Sequence, residues 1–250
     1  MGQRLKRYTG LAGLFCAAVG TPLLADHSMQ MGLVASANSS FYKGAAEEHY
    51  LLPLLIADYD RFYLQGINGG YRLYKDDNGQ SLALELRRTF DGYNSDDSDA
   101  LEGMGDRDGA WEAGLAYEMG MAGGRAKVKL MQDISATHDG FSAGIEYERK
   151  LWVDDAHAVT WYAGSEYWSG RKTDYYFGVT REEATSTRAI YSADKSYSFS
   201  LGSNAIKRID NNLSLIASAE YLWMTDAVKD SPLTARQDQW TAYAGIFYQF

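Results

Sequence analysis

From about residue 29 to its end the chain repeats a single pattern, in which every second position is apolar and the positions between are polar or small. "WEAGLAYEM" (111–119) sets Trp111, Ala113, Leu115, Tyr117 and Met119 against Glu112, Gly114, Ala116 and Glu118. "GFSAGIEYE" (140–148) opposes Phe141, Ala143, Ile145 and Tyr147 to Ser142, Gly144, Glu146 and Glu148. "LSLIASAEYLW" (213–223) does the same with Leu213, Leu215, Ala217, Ala219, Tyr221 and Trp223. The closing "TAYAGIFYQF" puts Ala242, Ala244, Ile246, Tyr248 and Phe250 on one face. Successive side chains of a strand point to opposite faces, so period two means strands with unlike faces.

Soluble sandwiches alternate as well, and the polar face is what separates the two cases. Here it carries ionisable residues deep inside the segments: Arg72, Glu85, Arg87, Glu112, Glu118, Lys127, Lys129, Glu146, Glu148, Glu166 and Glu220. The apolar face gathers Tyr, Trp and Phe near segment ends. A polar lumen inside and aromatic girdles outside is the layout of a transmembrane barrel. The expected fold is therefore all-β, an antiparallel up-and-down barrel.

Twelve candidate strands run near 29–37, 47–56, 59–66, 69–75, 80–90, 110–119, 124–134, 139–150, 157–169, 195–207, 212–224 and 238–250. "RFYLQGINGGYRLY" can instead be read as one bent strand, and the alternative is then ten. Working back from a periplasmic carboxyl end, the long connections 225–237, 170–194 and 91–109 share one side, with 135–138, 67–68 and 38–46. "DDNG", "GMAGG" and "IDNN" fall on the other as tight turns. Bacterial barrels pair short periplasmic turns with longer external loops in this way.

The amino terminus reads differently. Arg4, Lys6 and Arg7 precede an apolar run from Leu11 to Leu24, and Ala25 comes before the polar "DHS". This is a secretory signal peptide over 1–25, leaving 26–250 as the barrel domain. The run falls short of the roughly 20 residues a helical span needs. Cys16, the one cysteine, lies inside it behind Phe15, too large for a lipidation signal, so no disulfide or thiol chemistry is left to the mature chain.

Charge narrows the partners. Taking the three leader residues from 24 Lys and Arg leaves 21 against 33 Asp and Glu, a net charge near −12 that suits neither nucleic acid nor an anionic lipid surface. The loop "DGYNSDDSDALEGMGDRDGA" offers Asp96, Asp97, Asp99, Glu102, Asp106 and Asp108 as hard oxygen ligands for calcium. Its spacing matches no twelve-residue calcium loop, and a solvated surface loop explains it equally, so no metal or cofactor is assigned. His27, His49, His138 and His157 are dispersed and define no shared catalytic site. The inward charges pair across strands if Lys127 and Lys129 stand between Glu118 and Glu146 with Glu148. They either satisfy one another in a narrow lumen or form a lining that selects polar solutes.

Five stretches carry a resemblance: "SSFYKG" (39–44), "LPLLIADYDRFYLQG" (52–66), "LEGMGDRDGAWEAGL" (101–115), "DYYFGVTREEATSTRAIYSADKS" (174–196) and "DAVKDSPLTARQDQWTAYAGIFYQF" (226–250). In this order they resemble the MipA/OmpV family of Gram-negative outer membrane proteins, across nearly all the mature chain. The departure is "YYFGV", where the family more often has Tyr-Tyr-Gly-Val. The resemblance implies a barrel in the outer membrane, in contact with its lipid. By the family's name it also implies a non-enzymatic scaffold that meets a murein lytic transglycosylase and peptidoglycan synthases. Alternatives are a narrow channel for small polar solutes, or an adhesin or sensor acting through loops 91–109, 170–194 and 225–237. The aromatic end, with Phe250, Tyr248 and Ile246, resembles the signal by which barrel-assembly machinery recognises its clients.

Overall fold

In the computed structural model, which describes residues 27–250, the alternating segments become twelve strands. They are β1 His27–Asn38, β2 Glu48–Tyr59, β3 Phe62–Gln65, β4 Asn68–Lys75, β5 Ser81–Arg88 and β6 Trp111–Met121. β7 Gly124–Asp133, β8 Phe141–Val153, β9 His157–Trp168, β10 Ser196–Arg208, β11 Leu213–Met224 and β12 Asp238–Gln249 complete the set. Two short helices, α1 Gly170–Phe177 and α2 Asp226–Lys229, lie in the connections. Each strand pairs antiparallel with its neighbours in the chain, and β12 returns to β1 in a register from Gln30↔Gln249 to Asn38↔Thr241. The sheet is a closed barrel, and closure pairs the two terminal strands, β1 and β12, whose edges would otherwise be free along their length. The leader read at 1–25, with Cys16, lies outside the described residues.

Outward positions are apolar and exposed, among them Leu33, Leu115, Leu130, Ile145, Leu201 and Ile246. Aromatic rings border this band. At the external end Phe141, Tyr167 and Tyr197 follow one another at centroid separations of 5.7 and 5.3 Å. Phe199 and Trp223 continue the girdle, and Tyr248 and Phe250 stand at the periplasmic end.

The periplasmic turns are short because side chains and backbone handedness tighten them. Ala122 and Gly123 both have positive φ, the hairpin conformation whose twist matches the flanking strands. Asp76, Asp154 and Asp210 each accept two backbone N–H groups just ahead in the chain. These bonds, first from Gln80, Ala156 and Asn212 respectively, hold the three carboxyls below the usual aspartate range.

Three boundaries lie three residues from the sequence reading. β2 runs on to Tyr59 and β3 begins only at Phe62, because Asp60 takes positive φ and turns the chain so that Ile56–Tyr59 pair with Phe62–Gln65. β8 extends to Val153 through an irregularity between Lys150 and Trp152, which absorbs the extra residue.

The external connections do not hang free. Those at 39–47, 89–110, 169–195 and 225–237 fold over the mouth around a core of their own. Phe41, Tyr42, Tyr93, Leu101, Met104, Tyr176, Phe177, Val228 and Leu233 are buried there, with Trp168 and Met224 at the strand tops. A second apolar cluster of Val34, Ile56, Ile216, Tyr243 and Phe247 fills part of the barrel interior.

Candidate functional site

Between the two apolar clusters lies the charged interior. The uppermost group centres on Glu112, the second residue of β6, which is fully buried. It accepts a hydrogen bond from Arg87 Nε at 2.6 Å and another from Lys172 Nζ at 2.8 Å. Arg87 also donates to Glu166 Oε1 at 2.7 Å and to Ser142 Oγ at 2.9 Å, tying β5, β6, β8 and β9 together. Trp168 Nε1 donates to the other Glu166 oxygen at 2.9 Å.

Lys172 comes from α1, so the cap itself reaches into the barrel. Its ammonium sits 4.3 Å from the centre of the Trp168 ring and 3.9 Å from Asp91. Burial pulls the Lys172 pKa down, and Glu112, Asp91 and Glu166 more than offset it, leaving the group above its ordinary value and charged. Burial raises the Asp91 carboxyl, against the opposing pull of Lys172. His138 completes the group from the turn at 134–140, which Asp133 shapes by accepting N–H bonds from Ser135, His138 and Asp139. Gly140 N–H donates to His138 Nδ1, so the other ring nitrogen faces Glu112 at 3.3 Å.

Below this lock is a cavity of about 140 Å³, lined by Glu85, Lys127, Lys129, Glu146, Glu166 and Glu220 among others. Glu118, Lys127 and Glu146 stand in one cross-strand row. Lys127 pairs with Glu85 and, at 3.2 Å, with Glu118, while Tyr63 donates to Glu85. The space exists partly because Gly144 and Gly164 line it without side chains. Further toward the periplasm Arg72 forms a two-pronged pair with Asp58, at 2.8 and 2.6 Å, and stacks on Tyr63, while Arg125 holds Glu148. The opposite wall is apolar or hydroxylated, with Ser36, Ile216, Ser218, Thr241, Tyr243 and Phe247 facing in.

Of the eleven charges read from alternation, Arg87, Glu112 and Glu166 join the upper group, Arg72, Glu85, Glu118, Lys127 and Glu148 form ion pairs nearer the periplasm, and Lys129, Glu146 and Glu220 line the cavity. Sequence reasoning missed Asp58, Arg125, His138 and Lys172. Arg125 and Asp58 extend the same two-residue pattern and could have been found by it. Lys172 and His138 belong to loops, where no period marks the inward direction. Two carboxylates of the acidic loop bond within it: Asp97 accepts from Asn94 N–H, and Asp106 from Ser95 N–H and Oγ–H. Among the described residues no three His, Asp or Glu side chains converge as a metal site. Ile246, Tyr248 and Phe250 face outward at the barrel's lower rim, and Phe250 N–H donates to Met29 O at 3.0 Å.

A closed antiparallel barrel with a ring-bordered apolar exterior and an ion-paired interior is a protein of the bacterial outer membrane. Residues 31–250 match the family model described as MltA-interacting protein MipA, and the chain belongs to that family. Outer membrane protein Omp26La of Vibrio anguillarum is 28% identical over 189 residues, 75% of this chain and 72% of its own. The MltA-interacting protein of Escherichia coli is 27% identical over 84% of this chain and 85% of its own. A solved NanC porin, 6% identical, aligns over 87% of this chain and 98% of its own with a TM-score of 0.47.

Proposed function

We propose that this barrel is a non-enzymatic outer membrane anchor for peptidoglycan-remodelling enzymes, closed to diffusion in its resting state. The observation that carries the reading is the occupied lumen. Arg87, Glu112, Glu166 and Lys172 lock the upper interior beneath the cap, and the Val34–Ile56–Phe247 cluster fills the far wall, so that among the described residues side chains obstruct the lumen. A relative bearing the name MltA-interacting protein supports the choice of partner, a murein lytic transglycosylase. Stable contacts bury about 800 Å² on each side, more than one tight turn supplies. The turns at 58–61, 76–79, 154–156 and 210–212 would therefore act together as a ring. A cleaved leader at 1–25 accounts for export.

Purified barrel in detergent should retain a lytic transglycosylase or a peptidoglycan synthase from a membrane extract, and should show negligible conductance in a planar bilayer. Retention of neither enzyme, with steady conductance, would replace the anchor by a channel. The cavity lined by both charge signs favours that second reading. Its signature would be altered ion selectivity when Lys127 and Lys129 are neutralised.

A further inference from the structure

The barrel wall is not of even height. β3 has four residues and meets β2 only through Ile56–Tyr59. Residues 48–55 of β2 pair with β1 on one side and, among the described residues, with no strand on the other. Leu55 O accepts from Gly66 N–H at the hairpin tip, at 2.7 Å. Main-chain groups alternate sides along a strand, so those of Pro53 and Leu51 point to the same open side. Across the gap the last β4–β5 pair is Gly69↔Leu86, Asn68 Oδ1 takes Arg88 N–H at 2.8 Å, and the chain departs through Thr89 and Phe90.

This gap lies at the level of the hydrocarbon. Leu51 is 65% exposed on the outer face beside it, and Ile67, Leu84 and Leu86 are exposed around its lower and far margins. An open sheet edge is tolerated at that depth only where it borders an internal cavity or is covered. The cavity does reach it: Gln65, Asn68, Gly69, Leu86, Arg88 and Phe90 are part of the cavity wall. The inner face of β2 along the gap is Tyr50, Leu52 and Leu54, which with Phe90 pack against the apolar cluster and keep partial exposure. The charged wall stands opposite. A polar solute has no use for such a trough.

The occupant follows from what the edge refuses. Pro53 has no N–H to offer a pairing strand, which makes this edge a poor seat for a second copy. The cap covers the external mouth, so approach from the medium is blocked there. We propose that the gap is a lateral portal through which the acyl chain of an outer-leaflet amphiphile enters the barrel. The chain lies along Tyr50, Leu52, Leu54 and Phe90 with its end toward the Gln65–Asn68 tip, and the polar head stays toward the external end of the gap.

A photo-crosslinking residue in place of Leu52, or of Leu54, tests this in phospholipid vesicles. Leu201 faces lipid and serves as the positive control, and inward Ser218 on full-height β11 as the negative one. Folding of each variant is checked by heat-modifiable gel mobility. Adducts to lipid acyl chains should form at 52 and 54 in yields matching Leu201, with none at Ser218. Yields at the Ser218 level would overturn the portal. Adducts to a second copy of the chain, or labelling by water-soluble reagents alone, would overturn the acyl-chain occupant. The unsubstituted barrel gives a separate reading by native mass spectrometry: it should retain an amphiphile that Leu52→Asn loses, and a lipid-free barrel would count against the proposal.

Discussion

Glu112 and Lys172 illustrate how a buried charge becomes structural. Removing one member of such a pair leaves the other desolvated and uncompensated, which costs about 3–5 kcal/mol in comparable interiors. Arg87 remains beside Glu112 in a Lys172 variant, so the lower end applies. Lys172→Met should therefore lower the unfolding midpoint and quicken proteolysis at 169–195. Adding Glu112→Gln should recover part of the loss, because a buried carboxylate left with one cation fewer is then gone and Arg87 keeps Glu166. Strict additivity of the two changes would show that they do not interact. Glycines differ for an equally local reason. A Cβ on Gly202 would lie 2.2 Å from the ring of Tyr162, which is itself buried, whereas on Gly144 it would meet nothing closer than 3.5 Å. Gly202→Ala should cost about 1–3 kcal/mol by overpacking. Gly144→Ala should fold normally with a smaller cavity, and chemical denaturation in vesicles would distinguish the two.

At the level of elements, strands were legible and the cap was not. β11 spans Leu213–Met224 where alternation alone marks 212–224, because each residue's burial follows from its own position in the period. α1 has no such signal. It forms where Tyr176 and Phe177 can bury against the loops at 39–47 and 89–110, far back in the chain, with Tyr42 Oη–H donating to Tyr176 O. The loops at 89–110 and 169–195 are strapped by Arg107 and Glu183, at 2.6 Å. Burial pushes the Glu183 carboxyl up, but the N–H groups of Thr180 and Gly105 and the Arg107 guanidinium outweigh it, holding the pKa at about 2. The unfolded value is about 4.3, so the strap's contribution is complete above that pH and is lost as pH falls toward 2. Protection factors for hydrogen exchange in 169–195, referred to the intrinsic rate at each pH, should fall over that interval, and Glu183→Gln should lower protection above about pH 4.3 and reduce its pH dependence. β12 carries a prediction of its own. Deleting Phe250 removes the Met29 contact and the last lipid-facing ring, and should cut outer membrane yield while export into the periplasm continues.

Across the whole molecule, the interior divides into a charged wall on β4 to β9 and a mainly apolar, hydroxyl-bearing wall from β10 round to β2, interrupted by Glu220 of β11 and Asp58 of β2. The sequence shows which residues face inward but not which of them meet, since diameter and shear decide that. Arg87, from β5, reaches Glu166 on β9 across the lumen, a contact no local pattern announces. A barrel crossed in this way should pass negligible current, and Lys172→Met should produce flickering openings if the cap is its gate.

The β1–β12 seam bears on how such a barrel comes to exist. Every other strand pair joins neighbours in the chain, and each hairpin can zip as soon as its second strand is available. The seam instead brings together groups such as Ser39 and Trp240, 201 residues apart. Loop-closure entropy must be met there before any pairing rewards it, and long-range pairing of this kind is slow. Circularisation is then the kinetic bottleneck of biogenesis, and the species that accumulates before it is a nearly complete ribbon with β1 and β12 still unpaired at its two sides. Substitutions at the seam, such as Gly32 beneath the Phe247 ring, should slow maturation out of proportion to their effect on the finished barrel.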